Sequence, residues 1–217
     1  MTAAGEVAGL TRANLAQRTL VTLSRGDWNS PDVLLVESDR GRAVVKDFAP
    51  RARLVRAIFG RWLIRRELEV YRTLEGHPAV PRLLGRLDSL AFVMEHRSGA
   101  RFSRRRPWTF SPRFVEELRE AVDGLHARGV VHLDLRHRSN VRAAPDGRPV
   151  LIDFDSALRF RKGSLAERLL LPLLRRIDDR GLAKWDEMAR SGPIQSSVVE
   201  LPAGTTSETG RGARRPM

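Results

Sequence analysis

Five polar side chains in defined contexts are the strongest chemical signal in the sequence. Lys46 ends an Ala-Val-Val-Lys strand, and Glu67 lies in a helical Arg-Glu-Leu-Glu-Val-Tyr segment. Asp134 stands in His-Leu-Asp-Leu, Asn140 follows it, and Asp153 ends a Leu-Ile-Asp strand. Phosphoryl transfer needs a cation that holds phosphates and oxygen ligands for a hard metal ion. A lysine together with carboxylates and an amide is therefore a set that could serve phosphate and metal chemistry if the fold brings its members together.

The N-terminal half is predicted to be an antiparallel sheet with one helical insertion. Residues 52–75 repeat apolar positions at helical spacing, and Gly60 is expected to divide them into two helices. The first two strands flank a Ser-Asp-Arg-Gly turn and so form a hairpin. The predicted strands are 33–36, 43–46, 84–87 and 90–95.

The C-terminal half has a different pattern. The spacing predicts an amphipathic helix over 112–128 with Gly129 as its stop, and a second helix over 164–190 with a kink at Pro172. A hairpin is predicted between them across Asp-Gly. Its strands are 141–144 and 149–152.

In this order and these contexts, the motifs resemble the protein-kinase-like superfamily. The chain is most similar to the small atypical kinases, namely the RIO kinases and the bacterial lipopolysaccharide-core kinases, over about residues 20–160. The resemblance implies an α+β, two-lobed fold with an antiparallel-sheet N-lobe and a truncated, mostly helical C-lobe. It divides the chain into an N-terminal extension 1–20, the N-lobe 21–95, the C-lobe 96–190 and a disordered tail 191–217.

The resemblance also implies ATP and Mg²⁺ as cofactors and a role for each residue. Lys46 would hold the α and β phosphates, and Glu67 would orient Lys46, with Glu69 as the fallback. Asp134 would accept the proton of the acceptor hydroxyl or orient that hydroxyl. Asp153 would chelate the magnesium ion that bridges the β and γ phosphates.

The position of the second metal ligand departs from the family pattern. Asn140 lies six positions after Asp134, whereas five is usual. A local bulge would keep Asn140 as the ligand; a slipped register would put Ser139 there instead. We favour Asn140.

Two further departures concern the nucleotide. The third residue of the Asp-Phe-Gly motif is Asp155, which should restrict the backbone flip of regulated kinases or could add a carboxylate near the metal. The turn before β-strand 33–36 has Gly26 in place of a glycine-rich loop. The segment joining the lobes would pair adenine through the backbone around Glu95 and Arg97.

Composition favours anionic partners. The 217 residues carry a formal net charge of +13, and there are only three lysines and no cysteine. Nucleic acid is an unlikely class of partner because no interleaved aromatic platform or recognised motif accompanies the charge. The sequence shows no secretory signal and no apolar run of about 20 residues, which predicts a cytoplasmic protein.

Two basic segments carry apolar stripes, at 54–63 and 159–176. We expect both apolar faces to pack on the lobes, because such stripes are usually core. The alternative is peripheral contact with an anionic membrane. The acceptor could then be a lipid-linked sugar.

The predicted function is transfer of the γ-phosphate of ATP to a hydroxyl acceptor, either a protein Ser/Thr or a glycolipid sugar. A pseudokinase or nucleotide-binding scaffold is the alternative, and GTP is an alternative donor. The sequence does not identify the acceptor, because a fold analogy implies the reaction and leaves the substrate open.

Overall fold

The fold is α+β, as predicted, and its largest element is an antiparallel sheet of five strands. A computed structural model of the chain describes residues 6–102, 112–190 and 196–197. The strands of the sheet are β1 Thr19–Ser24, β2 Asp32–Ser38, β3 Gly41–Asp47, β4 Leu83–Arg86 and β5 Ala91–Glu95. They lie in the order β1-β2-β3-β5-β4.

The predicted hairpin of β2 and β3 is confirmed. The two strands pair antiparallel with Val33 opposite Lys46. Gly41 closes the turn at a φ of +93°, a conformation that side chains with a Cβ rarely adopt. This register fixes the position of Lys46 along the sheet.

Residues before the predicted N-lobe are part of the sheet and its core. A short helix, α1 Leu15–Arg18, leads directly into β1, which crosses the predicted boundary at residue 21. Leu10 and Leu15 are buried in a small cluster with Val36 and Val93. The described part of the predicted extension is therefore anchored by apolar contact with one face of the sheet.

The predicted helix 52–75 is confirmed, but Gly60 does not divide it into two helices. The stretch runs through α2 Arg53–Val55, a π-helical turn Arg56–Gly60 and α3 Arg61–Thr73. A Cβ on Gly60 would come within 2.8 Å of the Phe48 ring. Glycine at this position therefore allows the turn to approach the core closely.

The remaining elements surround the loops that follow β5. Both predicted C-terminal helices and the 141–144/149–152 hairpin are confirmed, and α5 continues through Pro172. Strand β1 was not predicted. The short strands β6 Ala100–Phe102, β7 Val130–Val131 and β10 Leu158–Arg159 were not predicted either, because two or three residues carry no measurable period. The predicted disordered tail lies outside the described residues except for β11. The bounds are β6 Ala100–Phe102, α4 Pro112–His126, β7 Val130–Val131, β8 Val141–Ala143, β9 Pro149–Leu151, β10 Leu158–Arg159, α5 Leu165–Arg190 and β11 Ser196–Ser197.

The main core joins the sheet to the helices. Alternate residues of β3 point to opposite faces, so Val45 lies in the small N-terminal cluster while Val44 contacts the main core. Tyr71 of α3 packs edge-on against Phe154, with ring centroids 5.3 Å apart. This contact ties the sheet side of the molecule to the segment that carries Asp153.

The prediction that both basic stripes pack in the core is wrong for many of their apolar residues. The buried face of α3 carries Ile64, Leu68 and Tyr71, so the core-facing stripe begins later than predicted. Large apolar side chains on both segments are exposed instead: Leu54, Phe59, Trp62, Leu169 and Leu170. Among the described residues, no helix is both long and apolar enough to cross a membrane.

Candidate functional site

A cleft of about 400 Å³ lies between the five-stranded sheet and the loops around β8 and β9. Glu67 and Asp134 border it through side-chain contacts with two residues of its lining. The other five predicted site residues line it directly: Lys46, Glu95, Arg97, Asn140 and Asp153. The structure therefore brings all the predicted site residues into one region.

Lys46 is at the centre of a cluster of carboxylates. Its Nζ donates to Glu67 Oε1 at 2.7 Å, to Asp153 Oδ1 at 2.8 Å and to Asp155 Oδ1 at 2.5 Å. Lys46 and Glu67 are each only 4% exposed. Glu69, the fallback, pairs with Arg72 on the surface. Glu67 is therefore the partner of the lysine.

The charge of Lys46 is maintained by this cluster. Burial alone would lower the pKa of Lys46, but the neighbouring carboxylates outweigh burial and raise it well above its ordinary value. Burial acts to raise the pKa of Asp155, but the Lys46 ammonium lowers it below its ordinary range. Burial raises the pKa of Glu67 well above its ordinary value, although the Lys46 ammonium opposes that shift, so Asp155 holds its negative charge more firmly than Glu67 does.

The three carboxylates form a candidate metal site. One oxygen each from Glu67, Asp153 and Asp155 lies within 4.8 Å of the others. Oxygen ligands at such separations suit Mg²⁺, which takes one or two carboxylates together with phosphate and water. Asp155 therefore stands where it can supply a second carboxylate, which is one of the two consequences expected from an aspartate at this position.

Asp134 and Asn140 are held together. Asn140 Nδ2 donates to Asp134 Oδ2 at 2.8 Å and to the Asp134 carbonyl at 3.0 Å. His137 Nδ1 donates to the other carboxylate oxygen of Asp134 at 2.5 Å. The loop between Asp134 and Asn140 ends in a 3₁₀ turn over Arg138–Asn140.

Asn140 and Ser139 are the two alternatives for the second metal ligand, and they differ in burial and in hydrogen bonding. Asn140 is buried, and its carbonyl accepts the Ile152 N–H at 2.9 Å, one residue before Asp153. Ser139 also lines the cleft, but its Oγ donates to Asn140 Oδ1 at 3.0 Å. The backbone of Asn140 is thus tied to the segment that carries Asp153, and the amide oxygen of Asn140 accepts the hydrogen bond of Ser139.

Two residues of the site have strained backbones. Leu133 and Asp153 both have a φ of +67° although neither is glycine. Such residues cost about 1–3 kcal/mol each and cluster at functional sites, where the surrounding structure holds them. A positive φ changes the direction of the backbone at each of these two positions.

A buried carboxylate that sequence reasoning missed holds the Asp134 loop. Asp178 of α5 is fully buried and accepts the backbone N–H groups of His132 at 2.9 Å and Leu133 at 2.7 Å. It also accepts a hydrogen bond from His126 Nε2 at 2.9 Å. A signal was present, because Asp178 occupies the helical spacing of the buried residues Leu171, Leu182 and Trp185.

The turn between β1 and β2 uses its own amides. Gly26 N–H donates to Asp32 at 2.9 Å, and Asp27 N–H donates to Ser30 Oγ at 2.8 Å. A Cβ on Gly26 would come within 2.2 Å of the Ser30 carbonyl, so only glycine fits. Arg51 pairs with Asp32 and donates to the Gly26 carbonyl. These contacts therefore hold the turn in a compact conformation along the edge of the cleft.

At the other end of the cleft, Glu95 and Arg97 contact each other. Arg97 Nε donates to Glu95 Oε2 at 3.4 Å. Burial acts to raise the pKa of Glu95, but hydrogen bonding and the charges of Arg82 and Arg97 lower it. The Glu95 N–H donates to the Arg82 carbonyl at 2.8 Å, so this amide is already engaged in the sheet.

Sequence reasoning also missed an arginine in the cleft. Arg142 on β8 lies opposite Arg101 on β6, and both line the cleft. Burial, and then the charge of Arg101, lowers the pKa of Arg142 to about 10. Two like charges side by side favour an anion in this cleft.

Comparison with models of known protein families and with curated protein sequences finds no match for this chain.

Proposed function

We propose that this protein is an ATP- and Mg²⁺-dependent phosphotransferase that moves the γ-phosphate to a hydroxyl acceptor. On this proposal the α+β fold is a two-lobed, kinase-like arrangement, with the five-stranded sheet in one lobe and α4 and α5 in the other. The observation that carries the proposal is the contact of Lys46 with both Glu67 and Asp153, in the same cleft that is lined by Asn140, the partner of Asp134.

Lys46 would bind the phosphates. Its ammonium stays charged, and Glu67 keeps it directed into the cleft. A point charge on a flexible stem suits phosphate oxygens, and the buried carboxylate limits its freedom. Binding of phosphates would draw Lys46 away from Asp153 and Asp155, which would then be free to take a metal ion.

Asp153, Asn140 and Asp155 would hold Mg²⁺. Their carboxylate and amide oxygens are the ligand type that the ion requires, and Asn140 is tied to the Asp153 segment through Ile152. When bound, the ion would neutralise charge on the β and γ phosphates. Arg142 would add positive charge from the floor of the cleft.

Asp134 would position the acceptor hydroxyl. Asn140 and His137 each donate to one of its oxygens, which fixes the plane of the carboxylate. Its side chain remains partly exposed, so an acceptor can reach it. Asp178 would act through the loop backbone as a positioning residue.

A nucleotide-binding scaffold is the second candidate, favoured by the turn at Gly26. Because Asp32 and Ser30 already accept its amide groups, the turn has fewer donors for phosphate than a glycine-rich loop. A scaffold would bind Mg·ATP without transferring the phosphoryl group.

The test is magnesium-dependent turnover of γ-labelled ATP by the purified chain, with membrane extract and a generic protein as acceptors. We expect label transfer that is lost in Asp134→Ala and Asp153→Ala. Labelled GTP in parallel identifies the donor. Label in the lipid fraction of the extract, and not in its protein fraction, indicates a glycolipid acceptor.

Glu67→Gln and Glu69→Gln are the matched controls, since both glutamates lie on α3 and only Glu67 touches Lys46. We expect turnover to fall only in Glu67→Gln. ATP binding without phosphoryl transfer would favour the nucleotide-binding scaffold over the phosphotransferase. Neither binding nor transfer would contradict both candidates.

A further inference from the structure

The first half of α5 carries an apolar ridge that faces solvent. We call Leu165, Leu169, Leu170, Leu173 and Ile177 the α5 ridge; these side chains are between 42% and 74% exposed. In this half of the helix, about 20 Å long, Leu171 is the only buried residue. The second half buries Asp178, Gly181, Leu182, Trp185 and Met188.

A second ridge lies on the helical insertion of the sheet. Leu54, Phe59 and Trp62, which we call the insertion ridge, are 71%, 46% and 56% exposed. The two ridges together hold eight of the eleven exposed large apolar side chains among the described residues. Exposed apolar surface is therefore concentrated on two helices.

The two ridges are linked by the segment 156–160. Arg66 of α3 donates to the carbonyls of Ser156 at 3.2 Å and Ala157 at 2.7 Å. At the other end of the segment, Phe160 N–H donates to the Gly129 carbonyl, five residues before α5 begins. The insertion and the first half of α5 thus border the same short stretch of chain.

Both ridges are surrounded by basic residues. The segment 53–66 has five arginines and no acidic residue, and Arg66 lies over the Trp62 ring at 5.4 Å. Between residues 161 and 177, Glu167 is the only acidic residue, and it accepts the Gly163 N–H. The basic residues of that segment are Arg161, Lys162, Arg168, Arg175 and Arg176.

We propose that the α5 ridge and the insertion ridge form a docking face for an anionic lipid bilayer. Apolar side chains interleaved with arginines match the acyl boundary and the anionic headgroups together. A nucleic acid would use the arginines but not the leucines. A second copy of this chain would bring its own charge of +13 to a face that is already basic.

The test is flotation of the full chain with vesicles of phosphatidylcholine containing phosphatidylglycerol, compared with phosphatidylcholine alone. It needs no nucleotide and does not rest on the proposed function. We expect at least roughly tenfold stronger partition into the anionic vesicles, because basic residues near the surface act together.

Two variants separate the parts of the face. The apolar variant is Leu165→Ser with Leu169→Ser and Leu173→Ser; the charge variant is Arg168→Glu with Arg176→Glu. Each should lose roughly tenfold or more in partition. Leu20→Ser is the matched control, since Leu20 is exposed on β1. Its partition should be unchanged, and circular dichroism checks the fold of each variant.

Three results would overturn the proposal. The first is no partition of the natural chain into anionic vesicles. The second is full partition of the apolar variant, which would reduce the effect to surface charge. The third is a dimer in light scattering that only the apolar variant abolishes, which would assign the face to a second copy. If the apolar variant fails to fold, Leu169→Ser alone takes its place, and full partition of that variant would overturn the proposal.

Discussion

Charged side chains are buried in the cleft, where Lys46 contacts three carboxylates, whereas leucines are exposed along the first half of α5. Both arrangements reverse the usual pattern of burial, and neither stabilises the fold as well as a conventional one would. In the cleft Lys46 and its three carboxylates are partners of one another, so a substitution of Lys46 should be costly. On the α5 ridge the side chains make few internal contacts, so a substitution should change binding more than stability.

The largest effect is expected from Lys46→Met. It leaves Glu67 buried without its cation, which should lower the free energy of unfolding by about 3–5 kcal/mol. Chemical denaturation measures the loss, and Lys162→Met, at an exposed position, is the control. Adding Glu67→Gln should recover part of it, because the two residues are coupled. A loss below about 1 kcal/mol would show that the cluster is solvated.

Asp178→Ala should have the next largest effect. It removes the acceptor of two buried backbone N–H groups and of His126, so we expect a loss of about 3 kcal/mol. Asp179→Ala is the matched control. The Asp179 carboxylate is exposed, so its removal should change the free energy of unfolding by no more than about 0.5 kcal/mol. Equal losses from the two variants would contradict the role of Asp178.

The free energy of unfolding should also decrease as the pH is lowered, because His132 is buried in its neutral form. Burial lowers the pKa of His132 below its ordinary 6.5. Its contribution is therefore complete above pH 6.5 and is lost as pH falls below that value, because the unfolded chain binds the proton more readily. Denaturation on either side of that pH should show the fall, with a smaller slope in His132→Phe. His77 and His96 shift in the same direction, so some slope should remain. An unchanged slope would assign the effect to them.

The smallest effect is expected on the α5 ridge. Leu173→Ala should change the free energy of unfolding by no more than about 0.5 kcal/mol, since the side chain is 56% exposed. Leu182→Ala, in the buried half of the same helix, should lose about 2–5 kcal/mol. Similar losses in the two variants would show that both halves of α5 belong to the core.

Sequence patterns predicted most of the elements that repeat over several residues, although the six-residue strand β1 was missed. The β2–β3 hairpin has a period of two, and α3 has a helical period, so the positions of Lys46 and Glu67 followed from local order. Asp134, Asn140 and Asp153 were predicted from motifs whose spacing is short. Their prediction required no knowledge of contacts between distant parts of the chain.

The features that were missed depend on distant contacts. Asp178 reaches His132 across 46 positions of the chain, and the pairing of Arg101 with Arg142 depends on a strand of three residues. Amphipathic spacing also does not tell a face that packs in the core from one that binds a partner. For that reason the α5 stripe was assigned to the core.

The central claim is that the Lys46 cleft binds a nucleotide through a metal ion, and calorimetric titration with Mg·ATP tests it most directly. The account predicts saturable binding by the natural chain, loss of magnesium dependence in Asp153→Asn, and unchanged binding in Asp146→Asn, an exposed carboxylate of the β8–β9 turn. Binding that is equal with and without magnesium, or a magnesium dependence that survives in Asp153→Asn, would contradict the account.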